Sequence, residues 1–209
     1  MTARVDHTVT SGTFSLDGQT FDVDNNVWVV GDDNECVVVD APHDVDAIMR
    51  TVGGRRVVAI LATHAHDDHV RVAPQLARAT GAPVLLHPDD RVLWDMVHPD
   101  VAPDGELRDG TTIEVAGTGL RVLHTPGHSP GACSLHAPPL GVVFTGDTLF
   151  AGGPGATGRS YSDFGTIVES IRTRLLTLPP ETVVHTGHGD STTIGAEAPH
   201  LDQWLARGH

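Results

Sequence analysis

Apolar residues come along this chain in short runs set off by turn residues, and the period of the runs alternates between that of strands and that of helices. Residues 13–16, 27–30 and 36–40 (CVVVD) are β-rich and bounded by Gly, Asp and Asn, which predicts three strands. Asp44 is placed to cap a helix over 45–52 that stops at Gly53 and Gly54. Residues 57–62 (VVAILA) are apolar without interruption, the pattern of a strand covered on both faces. A helix over 70–80 follows, ended by Gly81, with Pro74 in its first turn or at a kink. Then come a strand at 84–87, a helix over 90–97 and a loop rich in Pro, Asp and Gly from 98 to 110. The second half predicts strands at 112–115, 120–123, 132–136 and 142–145, a helix over 163–176, a last strand at 182–185 (TVVH) and a closing helix over 197–206. Periodicity alone supports α/β or α+β. The finer assignment, an α+β protein of two mixed β-sheets packed together and flanked by helices in a four-layer αββα sandwich, fits the strand-rich stretches of both halves but comes from the motifs below. No low-complexity run or linker divides the sequence, so residues 1–209 read as one domain.

The polar residues that follow the apolar runs carry the chemistry. The run VVAILA leads into Thr63, then His64, His66, Asp68 and His69, four potential ligands within six residues at a strand-to-helix turn. They cannot all serve one tetrahedral ion without strain, and they divide naturally between two. Three further runs end alike: 120–123 leads through Gly127 to His128, 142–145 through Gly146 to Asp147, and 182–185 through Gly187 to His188. A Gly immediately before each candidate lets backbone approach a crowded centre. Five imidazoles and two carboxylates at strand ends point to metal, with zinc, iron and manganese all suited to the mixed donor set.

Taken in order, THAHDDH at 63–69, TPGHSPG at 125–131, FTGDTLF at 144–150 and TGHGDSTTIGAE at 186–197 resemble the metallo-β-lactamase superfamily, and within it the glyoxalase II (hydroxyacylglutathione hydrolase)-like branch. The resemblance spans about residues 25–200 and implies the αββα fold with two divalent ions at the sandwich edge. Carried onto these positions, His64, His66 and His128 hold the first metal, Asp68, His69 and His188 the second, and Asp147 bridges them. Asp68 and Asp147 are the carboxylates of the catalytic centre. The implied activity is hydrolysis of an acyl thioester by a metal-bridging hydroxide, available near neutrality because coordination lowers the pKa of water from about 15.7 to about 7. In the same family an acid at the position of Asp40 hydrogen-bonds a metal-bound His; a helix-capping or loop carboxylate is the other reading, and Thr63 has a similar claim. Gly158 and Arg159 look like the Gly-Arg element that lies beside the metals in glyoxalase II-like enzymes. Arg159 either clamps a substrate carboxylate or ties its loop by an ion pair, and Tyr161 either points its hydroxyl into the pocket or packs. His124 and His185 read as packing residues, since the set is complete without them.

Composition narrows the substrate. The chain has 13 basic residues against 27 acidic ones, a formal charge of −14, and every basic residue is Arg. So acidic a surface argues against nucleic acid and anionic membrane. No apolar run approaches a membrane span or a signal peptide, which leads us to expect a cytoplasmic protein. Cys36 and Cys133 lack CxxC spacing and read as buried, reduced thiols. The loop after Asp147 is richer in Gly than that of a compact glyoxalase II. With a single helix after it and no Lys, a basic extension to grip the carboxylates of glutathione is not expected. The composition resembles that of high-GC actinobacterial proteins, which directs attention to mycothiol as an alternative thiol. Two other activities share these motifs: a persulfide dioxygenase with a single iron on His64, His128 and Asp147, and a lactonase. The oligomeric state is not readable from the residues.

Overall fold

Strand alternation sorts the apolar runs onto two faces. Val27, Val29, Cys36 and Val38 join one core, while Trp28, Val30, Val37 and Val39, their immediate neighbours, join another. Runs with no polar position are thus strands buried on both sides. The structure is a computed structural model, and it describes residues 2–208. Its first sheet has the order β1 (Arg4–Leu16), β2 (Gln19–Gly31), β3 (Glu35–Val39), β4 (Arg56–Leu61), β5 (Val84–Leu86), β6 (Gly105–Glu106). The first three pair antiparallel and the rest parallel. The second sheet holds β7 (Thr112–Val115), β8 (Thr118–His124), β9 (Cys133–Ala137) and β10 (Val142–Gly146). A small ribbon of β11 (Leu149–Phe150) and β12 (Gly153–Pro154) intervenes before the sheet resumes with β13 (Val183–Thr186), parallel to β10, and β14 (Thr192–Thr193).

Both sheets are mixed, and helices cover their outer faces. On the first lie α1 (Val45–Val52), α2 (Asp67–Val70), α3 (Ala73–Thr80) and α4 (Arg91–Val97), with Ile48, Val70, Leu76 and Trp94 in the outer core. On the second lie α5 (Phe164–Ser170), α6 (Ile194–Glu197) and α7 (Leu201–Arg207), with Ile167, Ile194 and Trp204 in its core. Between the sheets Trp28, Leu61, Leu120, Leu135 and Phe144 interdigitate. This is the expected four-layer αββα arrangement. Among the described residues, no helix is long and apolar enough to cross a membrane.

Several elements depart from the sequence reading. The loop expected over 98–110 carries β6, and the closing helix expected over 197–206 opens with a 3-10 turn at Ala198–His200 before α7. Three further departures have a plain physical reason. The strands expected at 13–16 and 27–30 are the ends of a thirteen-residue hairpin pair, β1 and β2, turning at Asp17 and Gly18 with φ 52° and 74°. Its outer half is solvated, so no apolar period marks it, although Asp-Gly is itself a hairpin signal. The helix expected over 70–80 is two, because the chain bends at Arg71 and Val72 and restarts with Pro74 in the first turn of α3. The helix over 163–176 begins as read, with Asp163 accepting from Thr166 N, but widens into a π turn over Ile171–Leu175.

Candidate metal centre

Each candidate ligand leaves the end of a strand on the same edge of the sandwich, and the structure brings all seven together. His64 and His66 follow β4, and Asp68 and His69 lie in α2. His128 comes from the loop between β8 and β9, Asp147 follows β10, and His188 follows β13. His66 Nδ1 stands 3.1 Å from His64 Nε2 and 3.0 Å from His128 Nε2. On the other side Asp68 Oδ2 and His69 Nε2 each lie 3.3 Å from His188 Nε2. Asp147 stands between the two groups. Its Oδ1 is 3.3 Å from His69 Nε2, and its Oδ2 is 3.3 Å from His188 Nε2 and 3.6 Å from His128 Nε2.

The outer nitrogens explain why the inner ones face inward. His69 Nδ1 donates to Asp40 Oδ2 at 2.8 Å, His188 Nδ1 to the Asp24 carbonyl at 2.7 Å and His128 Nδ1 to the Ala156 carbonyl at 2.8 Å. His64 Nδ1 lies 3.2 Å from Thr63 Oγ1, which itself donates to Asp40 Oδ2. Each proton on Nδ1 leaves a bare lone pair on Nε2, the tautomer a cation requires. Asp147 Oδ1, though buried, accepts no hydrogen bond, and neither does His66 Nε2 have a partner. Lone pairs converging at about 3 Å with an orphaned carboxylate oxygen among them repel one another unless a cation lies between, so the donor set fits divalent metal.

Charge tells the same story. Burial holds His64 well below its ordinary value and brings His66 down to about 3, with the neighbouring imidazoles adding to the effect. Burial opposes protonation of His69 and His188 too, but the Asp147 and Asp68 carboxylates outweigh it and raise His188 to about 10 and His69 well above its usual range. Asp68 falls to about 2: burial works against its charge, and His69 and His188 more than compensate.

Supporting groups are now placed. Asp40 does not cap α1; Asp44 does, accepting from Ala47 N. Asp40 instead sits at φ 61°, accepting from Thr63 N at 2.7 Å as well as from Thr63 Oγ1 and His69. Such a strained non-Gly residue is costly and persists because its carboxylate is held at every oxygen. Gly187 makes the expected close approach, since a Cβ there would collide with Asp147 Oδ1 and crowd His69. Gly127 does not: a Cβ there would strike Ile167 in α5, so this glycine serves helix packing.

Arg159 lines a cavity of about 200 Å³ together with Phe14, Phe21, His66, Asp147 and His188. Its guanidinium lies over Phe21 at 4.8 Å and Phe14 at 5.4 Å and reaches Gln19 Oε1 at 3.4 Å. These contacts, with Ser160 N donating to Asp17 Oδ2, join the glycine-rich loop to the hairpin tip. Tyr161, for which the sequence leaves pocket and packing both open, is 44% exposed at φ 69°. His124 stacks on His87 at 4.0 Å and His185 on Trp28 at 4.1 Å, each outside the seven.

Sequence reasoning missed Asp90. Fully buried, it accepts from Ala65 N and Ser129 Oγ at 2.8 Å and from Gly131 N at 2.5 Å, lashing the loop of His64 and His66 to the loop of His128. It also missed Asn26, whose Nδ2 donates to the Thr186 and Gly189 carbonyls on either side of His188. Polar residues at isolated positions give no spacing signal; an Asp preceding a helix reads as a cap.

Comparison with known proteins gives the class. Residues 20–188 match the metallo-beta-lactamase superfamily. Hydroxyacylglutathione hydrolase GloC of Haemophilus influenzae is 31% identical over 187 residues, covering 82% of this chain and 88% of that protein. The crystal structure of BLEG-1 B3 metallo-beta-lactamase superposes with a TM-score of 0.79 at 28% identity, covering 93% of this chain and 99% of that one. TTHA1623 in a di-iron-bound form superposes with a TM-score of 0.72 at 35% identity, covering 84% of this chain and 93% of that one. The chain belongs to the metallo-beta-lactamase superfamily, on its glyoxalase II-like branch, and is one of its metal-dependent hydrolases.

Proposed function

We propose that this protein is a dinuclear thioesterase that hydrolyses acyl thioesters of a low-molecular-weight thiol. The observation that carries the reading is Asp147, a carboxylate shared between an all-imidazole group, converging through His64 Nε2, His66 Nδ1 and His128 Nε2, and a carboxylate-bearing one, converging through Asp68, His69 Nε2 and His188 Nε2. His64, His66 and His128 would hold one divalent cation, Asp68, His69 and His188 a second, and Asp147 would span both. Two such cations supply a nucleophile at neutral pH and an electrophilic contact for the substrate carbonyl. The chain's own groups do the rest. Phe14 and Phe21 wall the cavity against water, and Arg159, its plane held by those rings, orients a polar or anionic group of the acyl part at the mouth. No side-chain nucleophile is required: Cys36 and Cys133 are both 0% exposed, and burial pushes the Cys133 thiol far up.

A second cavity of about 660 Å³ adjoins the centre at Ala65 and His66, between the hairpin tip and α4. Leu16, Leu93, Met96 and Val97 line it with Asp17, Gln19, Asp67 and Arg71. Arg71 already donates to Asp67 and to the Thr13 carbonyl, so its charge is spent. We read this cavity as the seat of the thiol carrier, better suited to an uncharged, hydroxyl-rich thiol such as mycothiol than to glutathione.

Metal analysis coupled to an assay of thiol release tests the proposal. About two metals per chain, with thiol released from acyl thioesters, lost on chelation and restored by zinc or manganese, is the expected result. Metal-replete protein that releases no thiol from glutathione, mycothiol or coenzyme A thioesters overturns it, and a single iron with oxygen uptake on a persulfide would replace it with the dioxygenase.

A further inference from the structure

The carboxylate-bearing group is capped by a residue outside the ligand set. Asn25 is fully buried, the first buried residue of β2 after its solvated half. Its Nδ2 stands 3.1 Å from Asp68 Oδ2, 3.3 Å from His69 Nε2 and 3.4 Å from His188 Nε2. These are three residues that converge as one candidate metal group. In the neutral imidazoles, the form that receives a cation, the Nδ1 protons are committed to Asp40 and Asp24, so the two amide hydrogens face three acceptors. Asn25 Oδ1 accepts from His43 Nε2 at 2.8 Å, which fixes the plane of the carboxamide. The His43 ring fits there only because residue 12 of β1 is Gly, where a Cβ would overlap the ring, and its buried Nδ1 has no partner of its own. A ring seated in a glycine notch, with a single hydrogen bond that aims an amide at three convergent acceptors, has one evident use.

We propose that Asn25, aimed by His43, is the positioning residue of the second cation site. The proposal rests on the two-cation reading above. Like atoms with inward lone pairs at 3.3 Å repel, and something must hold them at that spacing before a cation arrives. A Lys ammonium in this place would compete with the cation through its full charge. A carboxamide gathers the same lone pairs with partial charge and yields readily. Once the site is filled, its hydrogen bond to Asp68 Oδ2 keeps that carboxylate directed. In the all-imidazole group His64 Nε2 and His128 Nε2 meet His66 Nδ1 with no side-chain amide among them. The effect is thus confined to the second site.

Titration of metal-free protein with zinc against a chromophoric chelator resolves the two binding steps. Asn25→Leu keeps the volume and removes the donors. It is expected to weaken the second step about 10–100-fold, as loss of such outer partners does, and to leave the first within about 3-fold. His43→Phe, which frees the amide to turn, should shift the same step in the same direction by less. In the wild type, the Asn25 side-chain amide NMR pair should move with the second equivalent of zinc and not with the first, a readout that holds even if Asn25→Leu does not fold. Unchanged constants in a folded Asn25→Leu, or an amide pair indifferent to the second equivalent, overturns the proposal. Wild-type protein that takes up only one equivalent overturns the two-cation reading itself, and the proposal with it.

Discussion

The two halves of the centre are built by opposite means. The group of His64, His66 and His128 is all imidazole, lies on two loops laced together by Asp90, and has His64 and His66 lowered by burial. The group of Asp68, His69 and His188 contains a carboxylate, draws its supports from β2 and the loop after β3, and has His69 and His188 raised by the neighbouring carboxylates against the opposing effect of burial. The His188 side chain is 25% exposed, whereas His69 is fully buried. Rigidity sits on one side and charge on the other, with Asp147 between them.

Breaking the bridge should have the largest effect. Asp147→Ala is expected to lower kcat/KM by on the order of 10³-fold, with the second metal lost on dialysis, as measured by steady-state kinetics and metal analysis. Next comes the lacing of the imidazole half. Asp90→Ala leaves Ala65 N, Ser129 Oγ and Gly131 N without their acceptor and should cost about 2–4 kcal/mol in urea unfolding, while Asp90→Asn should recover part of it.

A smaller effect comes from beneath the other half, where His185 stacks on Trp28 three residues before His188. Burial, helped by His7, brings His185 down to about 4, so the unfolded chain takes up its proton first as pH falls. The folded state is therefore stabilised by a neutral His185 above pH about 6.5 and loses that contribution between there and pH about 4. His185→Phe should flatten this slope by on the order of 1–2 kcal/mol, allowing for the ring's partial exposure, when the two stability–pH curves are subtracted. The smallest concerns the cavity mouth: Arg159→Ala should raise KM about 10-fold for an acyl group bearing a carboxylate and leave kcat nearly unchanged. Equal loss for an uncharged acyl group would remove Arg159 from substrate orientation.

What could be read beforehand follows from how each residue signals. The central strands declared themselves because VVAILA and CVVVD are buried on both faces, and the seven candidate ligands because each follows such a run. The hairpin of β1 and β2 did not, since Asp22, Asp24 and their neighbours face water and carry no apolar period. Asn25, Asp90 and His43 matter through three-dimensional hydrogen bonding, which no spacing along the chain encodes. The break between α2 and α3 is set by the ligand loop, which fixes Asp68 and His69 in a single turn before the chain can begin a packing helix.

A low-molecular-weight disulfide would exchange with any accessible cysteine thiolate, forming a mixed disulfide and releasing one thiol. Cys36 is sealed between the first sheet and its helices, and Cys133 between the two sheets. Neither sulfur can meet an oxidised carrier without the sandwich opening. The folded chain thereby offers neither thiol to such exchange.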